Sequence, residues 1–191
     1  MSHFFAYLSK MKFIQRWGLM RNTYPENIQE HSLQVALIAH GLALVRNKFF
    51  GGQVDPARVA LLALYHDVGE VITGDLPTPI KYFNPKVKTA YDEVEVIAKQ
   101  KLLNMLPQEF KPDYESLLLR TEEDPLWQLV KAADKICAYL KCVEELKVGN
   151  QEFAKAQKVI KAELDRSNLP EVAYFMEQFI PSFSLTLDEL N

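Results

Sequence analysis

Apolar residues recur three and four positions apart along almost the whole chain, and no long run alternates apolar with polar residues. The first pattern stripes one face of an α-helix, and the second is what a half-buried strand needs. Only 7 of the 191 residues are glycine, too few for the many tight turns of a β-sandwich. The chain is therefore expected to be all-α, a single-domain helical bundle long enough to bury a sizeable core. Hydrophobic residues make up 48 % and charged residues 25 %, the balance of a folded soluble domain and not of a disordered one.

Lys and Arg number 22 against 25 Asp and Glu, a formal net charge of -3. That excludes broad electrostatic attachment to a nucleic acid polymer or an anionic membrane, while leaving room for a local basic pocket. The most apolar window, from Val35 to Val45, is interrupted by His40 and is well short of the roughly 18 apolar residues of a membrane span. The first ten residues lack the apolar stretch and small-residue cleavage site of a secretory signal, so export is not expected. Cys137 and Cys142 lie five apart on one helical segment, about 140° apart around it, too divergent to pair or to clamp a metal together. They read as buried thiols in a reducing cytoplasm.

The spacing predicts a first amphipathic helix over 3–15, with Phe4, Phe5, Leu8, Met11 and Ile14 on one side. Asn27 followed by Glu30 resembles a capping box and opens a helix to about Lys48, with Val35, Ile38, Ala39, Leu42 and Val45 inward. Asp55-Pro56 is an N-cap with proline at the first helical position. The helix it starts, to about Val68, is apolar almost all round and so is expected at the centre of the bundle. Two prolines in Thr73-Gly74-Asp75-Leu76-Pro77-Thr78-Pro79 predict a rigid extended loop. Further helices are expected over 86–105, 112–120, 126–148, 151–167 and 170–179, with an acidic turn at Glu122-Glu123-Asp124-Pro125.

Four residues break the apolar pattern. His66 and Asp67 follow the apolar run Leu61-Leu62-Ala63-Leu64-Tyr65. A buried carboxylate there needs a cation or strong donors. A His softening the helix dipole and an Asp paired with an Arg would also account for the doublet. Asp134 has Val130, Cys137 and Ala138 one turn away, a core-like setting, although Lys131 and Lys135 offer surface pairing if the helix is rotated. His31 precedes Val35 by four and Ile38 by seven, so it faces the core side of its helix, where a histidine is more often a satisfied core residue than a ligand. Taken together, two imidazoles and two carboxylates on one small bundle form a ligand set for a borderline or hard divalent ion.

The arrangement His…His-Asp…Asp resembles the HD-domain metal-dependent phosphohydrolase superfamily. The runs Asn27-Ile-Gln-Glu30-His31-Ser32, Tyr65-His66-Asp67-Val68-Gly69-Glu70, Gly74-Asp75-Leu76-Pro77-Thr78-Pro79 and Ala133-Asp134-Lys135 are similar to the bacterial YfbR type of 5'-deoxynucleotidase over nearly the whole chain. The resemblance implies that His31, His66, Asp67 and Asp134 bind one divalent metal, with positions left for water and a phosphate oxygen. It implies hydrolysis of nucleoside 5'-monophosphates, deoxyribonucleotides preferred, to nucleoside and phosphate. Cobalt, manganese or copper all suit such N/O ligands.

The resemblance gives Glu70 an active-site role, either proton handling or orientation of the attacking water. Asp75 is then either the acid for the leaving oxygen or a hydrogen-bond partner of the sugar. Arg16 and Trp17 are implied to contact the substrate, the guanidinium suiting phosphate and the indole a base or sugar. Thr78 and Lys81 are further candidates for substrate contact. His40, nine residues after His31, is turned about 180° from it on a helix and should point away from the metal. His-Asp-x-x-Glu also resembles the centre of alarmone hydrolases, and triphosphohydrolases share the ligands, so these chemistries stand as alternatives. A helical module that binds nucleotides without turnover is a third. A homodimer is implied as well, with the aromatic residues near Phe175 and Phe179 as a candidate surface unless core packing uses them.

Overall fold

The computed structural model describes residues 1–119 and 124–190. Its helices are α1 (Phe4–Leu8), α2 (Ile28–Phe49), α3 (Pro56–Leu64), α4 (Glu70–Thr73), α5 (Thr78–Lys81), α6 (Pro85–Asn104), α7 (Lys111–Leu118), α8 (Pro125–Lys147), α9 (Ala154–Asp165) and α10 (Pro170–Gln178). No strand occurs among the described residues, where Gln15 and Asn27 form an isolated antiparallel bridge. The all-α expectation holds. Arg120, Glu122 and Glu123, which the expected helix end and acidic turn include, lie outside the described residues.

Helix starts follow the local chemistry. Asn27 Oδ1 accepts hydrogen bonds from the backbone N–H groups of Gln29 and Glu30, both at 3.0 Å, and caps α2. Asp55 Oδ1 does the same for Ala57 at 2.9 Å, with Pro56 first in α3. Asn84 accepts from Lys86 N–H at 2.8 Å, with Pro85 first in α6. Each cap satisfies donors that the first helical turn leaves without an intrahelical partner.

The chain divides into two compact units. The first comprises Met1–Arg21, Pro25–Leu33 and Leu64–Asp124. Its core is Phe4, Met11, Ile28, Val68, Leu102, Leu103, Leu106 and Leu118, with Tyr65, Val71 and Tyr114 packed against it. Burying side chains of this size contributes roughly 1.5–3 kcal/mol each. Tyr114 makes edge contacts with Phe4 and Tyr65, at centroid distances of 5.0 and 5.7 Å. The second unit comprises Asn22–Tyr24, Gln34–Ala63 and Pro125–Asn191. Its buried residues include Val35, Ile38, Ala39, Leu42 and Val45 of α2, the set expected to face inward. Ile136, Cys137, Leu140 and Cys142 of α8 are buried too, and both thiols are free. Gly149, at φ +90°, ends α8 in the left-handed region, where Asn150 N–H donates to Glu145 O at 2.9 Å.

Three expectations are corrected. The helix expected over 3–15 stops at Leu8, and a 3-10 turn at Met11–Phe13 follows. Ile14 then becomes extended, accepting from Ile28 N–H at 3.0 Å while Arg16 N–H donates to Glu26 O at 2.9 Å. This pairing overrides the local helical pattern, and Phe5 is exposed instead of inward. The helix expected to reach Val68 ends at Leu64 and is not buried all round, since Leu61 and Leu64 are exposed while Val59, Leu62 and Ala63 are buried. Of the stretch 73–79, residues 74–77 form the expected loop, with Pro77 extended, but its two ends are helical. Thr73 ends α4 and Pro79 lies in the first turn of α5, where its missing N–H costs nothing.

Candidate active site

His66 and Asp67 lie in a tight turn after α3, in which Val68 N–H donates to Tyr65 O and Glu70 N–H to Asp67 O, at 3.4 and 3.0 Å. Residues three apart share a face in an α-helix and in such a turn alike, so periodicity does not distinguish them. Tyr65 and Val68 pack into the core on either side of the doublet and fix the turn. His31 enters from the first turn of α2, which Asn27 caps.

His66, His31 and Arg16 converge on one carboxylate oxygen, Oδ2 of Asp67. Asp67 Oδ2 lies 3.0 Å from His66 Nε2, 3.6 Å from His31 Nε2 and 3.5 Å from Arg16 Nη1. The two imidazole centroids are 5.3 Å apart, and both rings are buried. Burial opposes ionisation of Asp67, yet the contact with His66 and the charges of His31 and Arg16 hold its carboxyl well below the usual range. Both accounts of the doublet thus meet: the Asp does approach an Arg, and it does so between two imidazoles. Imidazole nitrogens and a carboxylate oxygen gathered this closely fit a divalent ion.

Glu70 opens α4, half-buried, and its Oε2 has no hydrogen-bond partner among the described residues. Burial first, then the carboxylates of Asp67 and Asp75, push its carboxyl up to about 10, with Arg16 opposing. Burial also raises Asp75, against Arg16 and with Asp67. Asp75 follows Gly74, which ends α4 at φ +74°, a left-handed backbone that favours glycine. Tyr91 of α6 donates its hydroxyl to Gly74 O at 3.2 Å and fixes this corner.

Arg16 and Trp17 follow the extended Ile14 and are half-buried. Thr78, first in α5, is exposed. Lys81 is held by Glu95, 3.4 Å away, and lies over the Tyr91 ring at 4.7 Å. Asp134 is on α8 in the second unit, half-buried. Of the two lysines beside it, Lys135 pairs with Glu163 at 2.6 Å and Lys131 lies over the Trp127 ring. His40 is exposed on α2, whereas His31 is buried.

The sequence reading missed Glu26, Tyr91 and Glu95. Glu26 is buried and its Oε2 accepts from Arg16 Nε at 3.0 Å and from Trp17 Nε1 at 3.1 Å. It sits between a proline and a helix cap, outside any periodic stretch, and the chain pairing that brings it to Arg16 has no sequence signature. Tyr91 and Glu95 lie four apart on α6, a spacing that marks one helix face without saying what it meets.

An all-helical fold that gathers His31 and a His-Asp doublet in this way defines an HD-domain phosphohydrolase. In agreement, a crystal structure of an HD-domain phosphohydrolase from Listeria innocua superposes with a TM-score of 0.82 at 24 % identity, covering 95 % of this chain and 88 % of that one. The HD phosphohydrolase DatZ of cyanophage S-2L, solved with dA and one catalytic Zn2+ ion, matches at 26 % identity and a TM-score of 0.68, covering 95 % of this chain and 96 % of that one. A 5'-deoxynucleotidase of Vibrio parahaemolyticus is 56 % identical over 100 % of this chain and 98 % of its own length. Residues 3–183 match the 5'-deoxynucleotidase YfbR-like family, and the chain belongs to it.

Proposed function

We propose that the chain is a divalent-metal 5'-deoxynucleotidase that hydrolyses deoxyribonucleoside 5'-monophosphates to nucleoside and inorganic phosphate. The observation that carries this reading is the convergence of His31, His66 and Arg16 on Asp67 Oδ2, at 3.6, 3.0 and 3.5 Å. Ligands for a cation and a donor for phosphate thus share one spot. The names of the close relatives and the dA and Zn2+ of DatZ support both the substrate class and the divalent ion. The family match over residues 3–183 supports reading the whole chain as one HD-domain phosphohydrolase.

His31, His66 and Asp67 would hold the ion, with Asp134 assigned as a further ligand from the sequence motif. Such an ion, when bound, neutralises phosphoryl charge and makes water acidic enough to attack phosphorus near neutral pH. Arg16 binds the phosphate through its guanidinium fork, and Trp17 packs against sugar or base. Glu70 orients the attacking water or handles a proton in the transfer. Asp75 protonates the departing 5' oxygen or binds the sugar hydroxyl, and Thr78 and Lys81 border the nucleotide. Cobalt, manganese and copper are the preferred ions. The enzyme is cytoplasmic, a reading that the buried free thiols Cys137 and Cys142 support. No helix among the described residues is long and apolar enough to cross a membrane. The homodimer rests on the family resemblance; of its candidate aromatics Phe179 is exposed and Phe175 is buried.

A panel of metals against substrates on the metal-free protein tests this. Phosphate release from dAMP with at least one divalent ion is expected. Pyrophosphate from ppGpp or triphosphate from dGTP in its place would move the chain to another HD chemistry. Absence of any turnover would leave a binding module.

A further inference from the structure

Arg16 and Trp17 are neighbours in sequence, and in an extended chain neighbouring side chains point to opposite sides. Here both reach the same acceptor: Arg16 Nε and Trp17 Nε1 donate to Glu26 Oε2 at 3.0 and 3.1 Å. The backbone shows how. Trp17 has φ +59°, the one non-glycine residue with positive φ among those described, and this left-handed turn brings its indole round to the side of Arg16. A bulky residue adopts this conformation only where its surroundings hold it. Glu26 is part of that hold: its own backbone carbonyl accepts Arg16 N–H at 2.9 Å and its carboxylate is buried, while Trp17 O accepts Met20 N–H at 2.9 Å on the other side of the turn.

The consequence for Arg16 follows from its shape. A guanidinium is a planar fork, so fixing Nε fixes the plane and the direction of the Nη edge. With Nε on Glu26, Nη1 lies 3.5 Å from Asp67 Oδ2, on the side where His31 and His66 gather. Glu26 Oε1, by contrast, is 3.9 Å from His31 Nδ1, outside hydrogen-bond range. The carboxylate's hydrogen bonds, at 3.0 and 3.1 Å, therefore go to the arginine and the tryptophan.

We infer that Glu26 is a positioning residue for substrate, holding the Arg16 fork and the Trp17 indole together in the arrangement that receives a nucleoside 5'-monophosphate. The inference rests on the reading of Arg16 and Trp17 as substrate contacts.

The test compares the full-length parent with Glu26→Ala and Glu26→Gln. Steady-state kinetics on dAMP and Co2+-titrated thermal melts are run on each. The same substitutions in a Trp127→Phe background leave Trp17 as the reporting fluorophore. Glu26→Ala is expected to lower kcat/KM at least about tenfold, mostly through KM, as befits loss of a charge-assisted contact. Its Trp17 emission should shift to longer wavelength, and the Co2+-induced rise in melting temperature should persist. Glu26→Gln, whose amide oxygen still accepts both N–H groups, should recover most of KM and of the emission. Unchanged KM and emission in Glu26→Ala would overturn the inference. Equal damage in Gln and Ala together with loss of the Co2+ effect would do so too, since Glu26 would then be serving the metal ligands or the fold. If the parent itself turns over no dAMP, the nucleotidase reading fails separately, and the emission of Trp17 still decides whether Glu26 holds it.

Discussion

Asn27 controls the placement of His31 twice over: its side chain caps α2, and its backbone carbonyl accepts the His31 N–H at 3.0 Å. A histidine one turn into a helix is only as well placed as that first turn. Asn27→Ala removes the acceptor of two N–H groups and is expected to cost about 1 kcal/mol. For a chain of this length that is a fall of about 2–4 °C in melting temperature, measurable by calorimetry. A variant as stable as the parent would show that the cap is replaced by water.

Asp67 carries a different burden, because Arg16, His31 and His66 all approach its Oδ2. Asp67→Ala is expected to lose activity and to lose the stabilisation that a divalent ion gives the parent. Binding to the native state alone stabilises by mass action, about 2.7 kcal/mol at a hundred times Kd. Melts with and without Co2+ or Mn2+ check this. A metal-induced shift that survives in Asp67→Ala would remove Asp67 from the ligand set.

Much of this site was legible because single residues announced it. His31 and the His66-Asp67 doublet interrupt apolar runs, and Asn27 and Asp55 are caps whose role depends on near neighbours. What escaped depends on tertiary pairing. The bridge of Gln15 with Asn27 belongs to an extended stretch at the end of the expected first helix and brings Glu26 to Arg16, and neither effect leaves a periodic trace. The turn at Tyr65–Gly69 was read as helix because Tyr65 and Val68 share a buried face in both geometries. Lys81 is a candidate for substrate contact in sequence, and its engagement by Glu95 depends on α5 and α6 meeting.

Tyr91 fixes the corner that presents Asp75, donating to Gly74 O at 3.2 Å with Thr73 Oγ1 3.4 Å away. Tyr91→Phe keeps the ring and removes the hydroxyl, at a net cost of about 0.5–1.5 kcal/mol. If that cost falls on the aim of Asp75, kcat/KM on dAMP drops about two- to tenfold with little change in melting temperature. An equal loss in an Asp75→Asn background would show that Tyr91 does not act through Asp75.

Lys141 and Glu145, one turn apart on α8, form a buried ion pair at 2.5 Å. Burial works against the charge on Glu145, but hydrogen bonds from Lys141, from Asn150 Nδ2 at 2.8 Å and from Thr23 N–H at 2.9 Å hold its carboxyl down at about 2. Lys141 also donates to Tyr24 O, so the pair ties the segment Asn22–Tyr24 to α8. Glu145→Ala leaves the ammonium buried without its counter-charge and is expected to cost about 3–5 kcal/mol. The pH dependence has a definite sign. The ordinary carboxyl value of 4.5 is above the native one of about 2, so on acidification the unfolded chain takes up the proton first. The contribution is complete above pH 4.5 and is lost as pH falls through about 2, an effect on the order of 3 kcal/mol. Urea unfolding between about pH 2 and pH 6 should show the gap between parent and Glu145→Gln closing as pH falls, whereas parallel curves would mean that Glu145 titrates alike in both states.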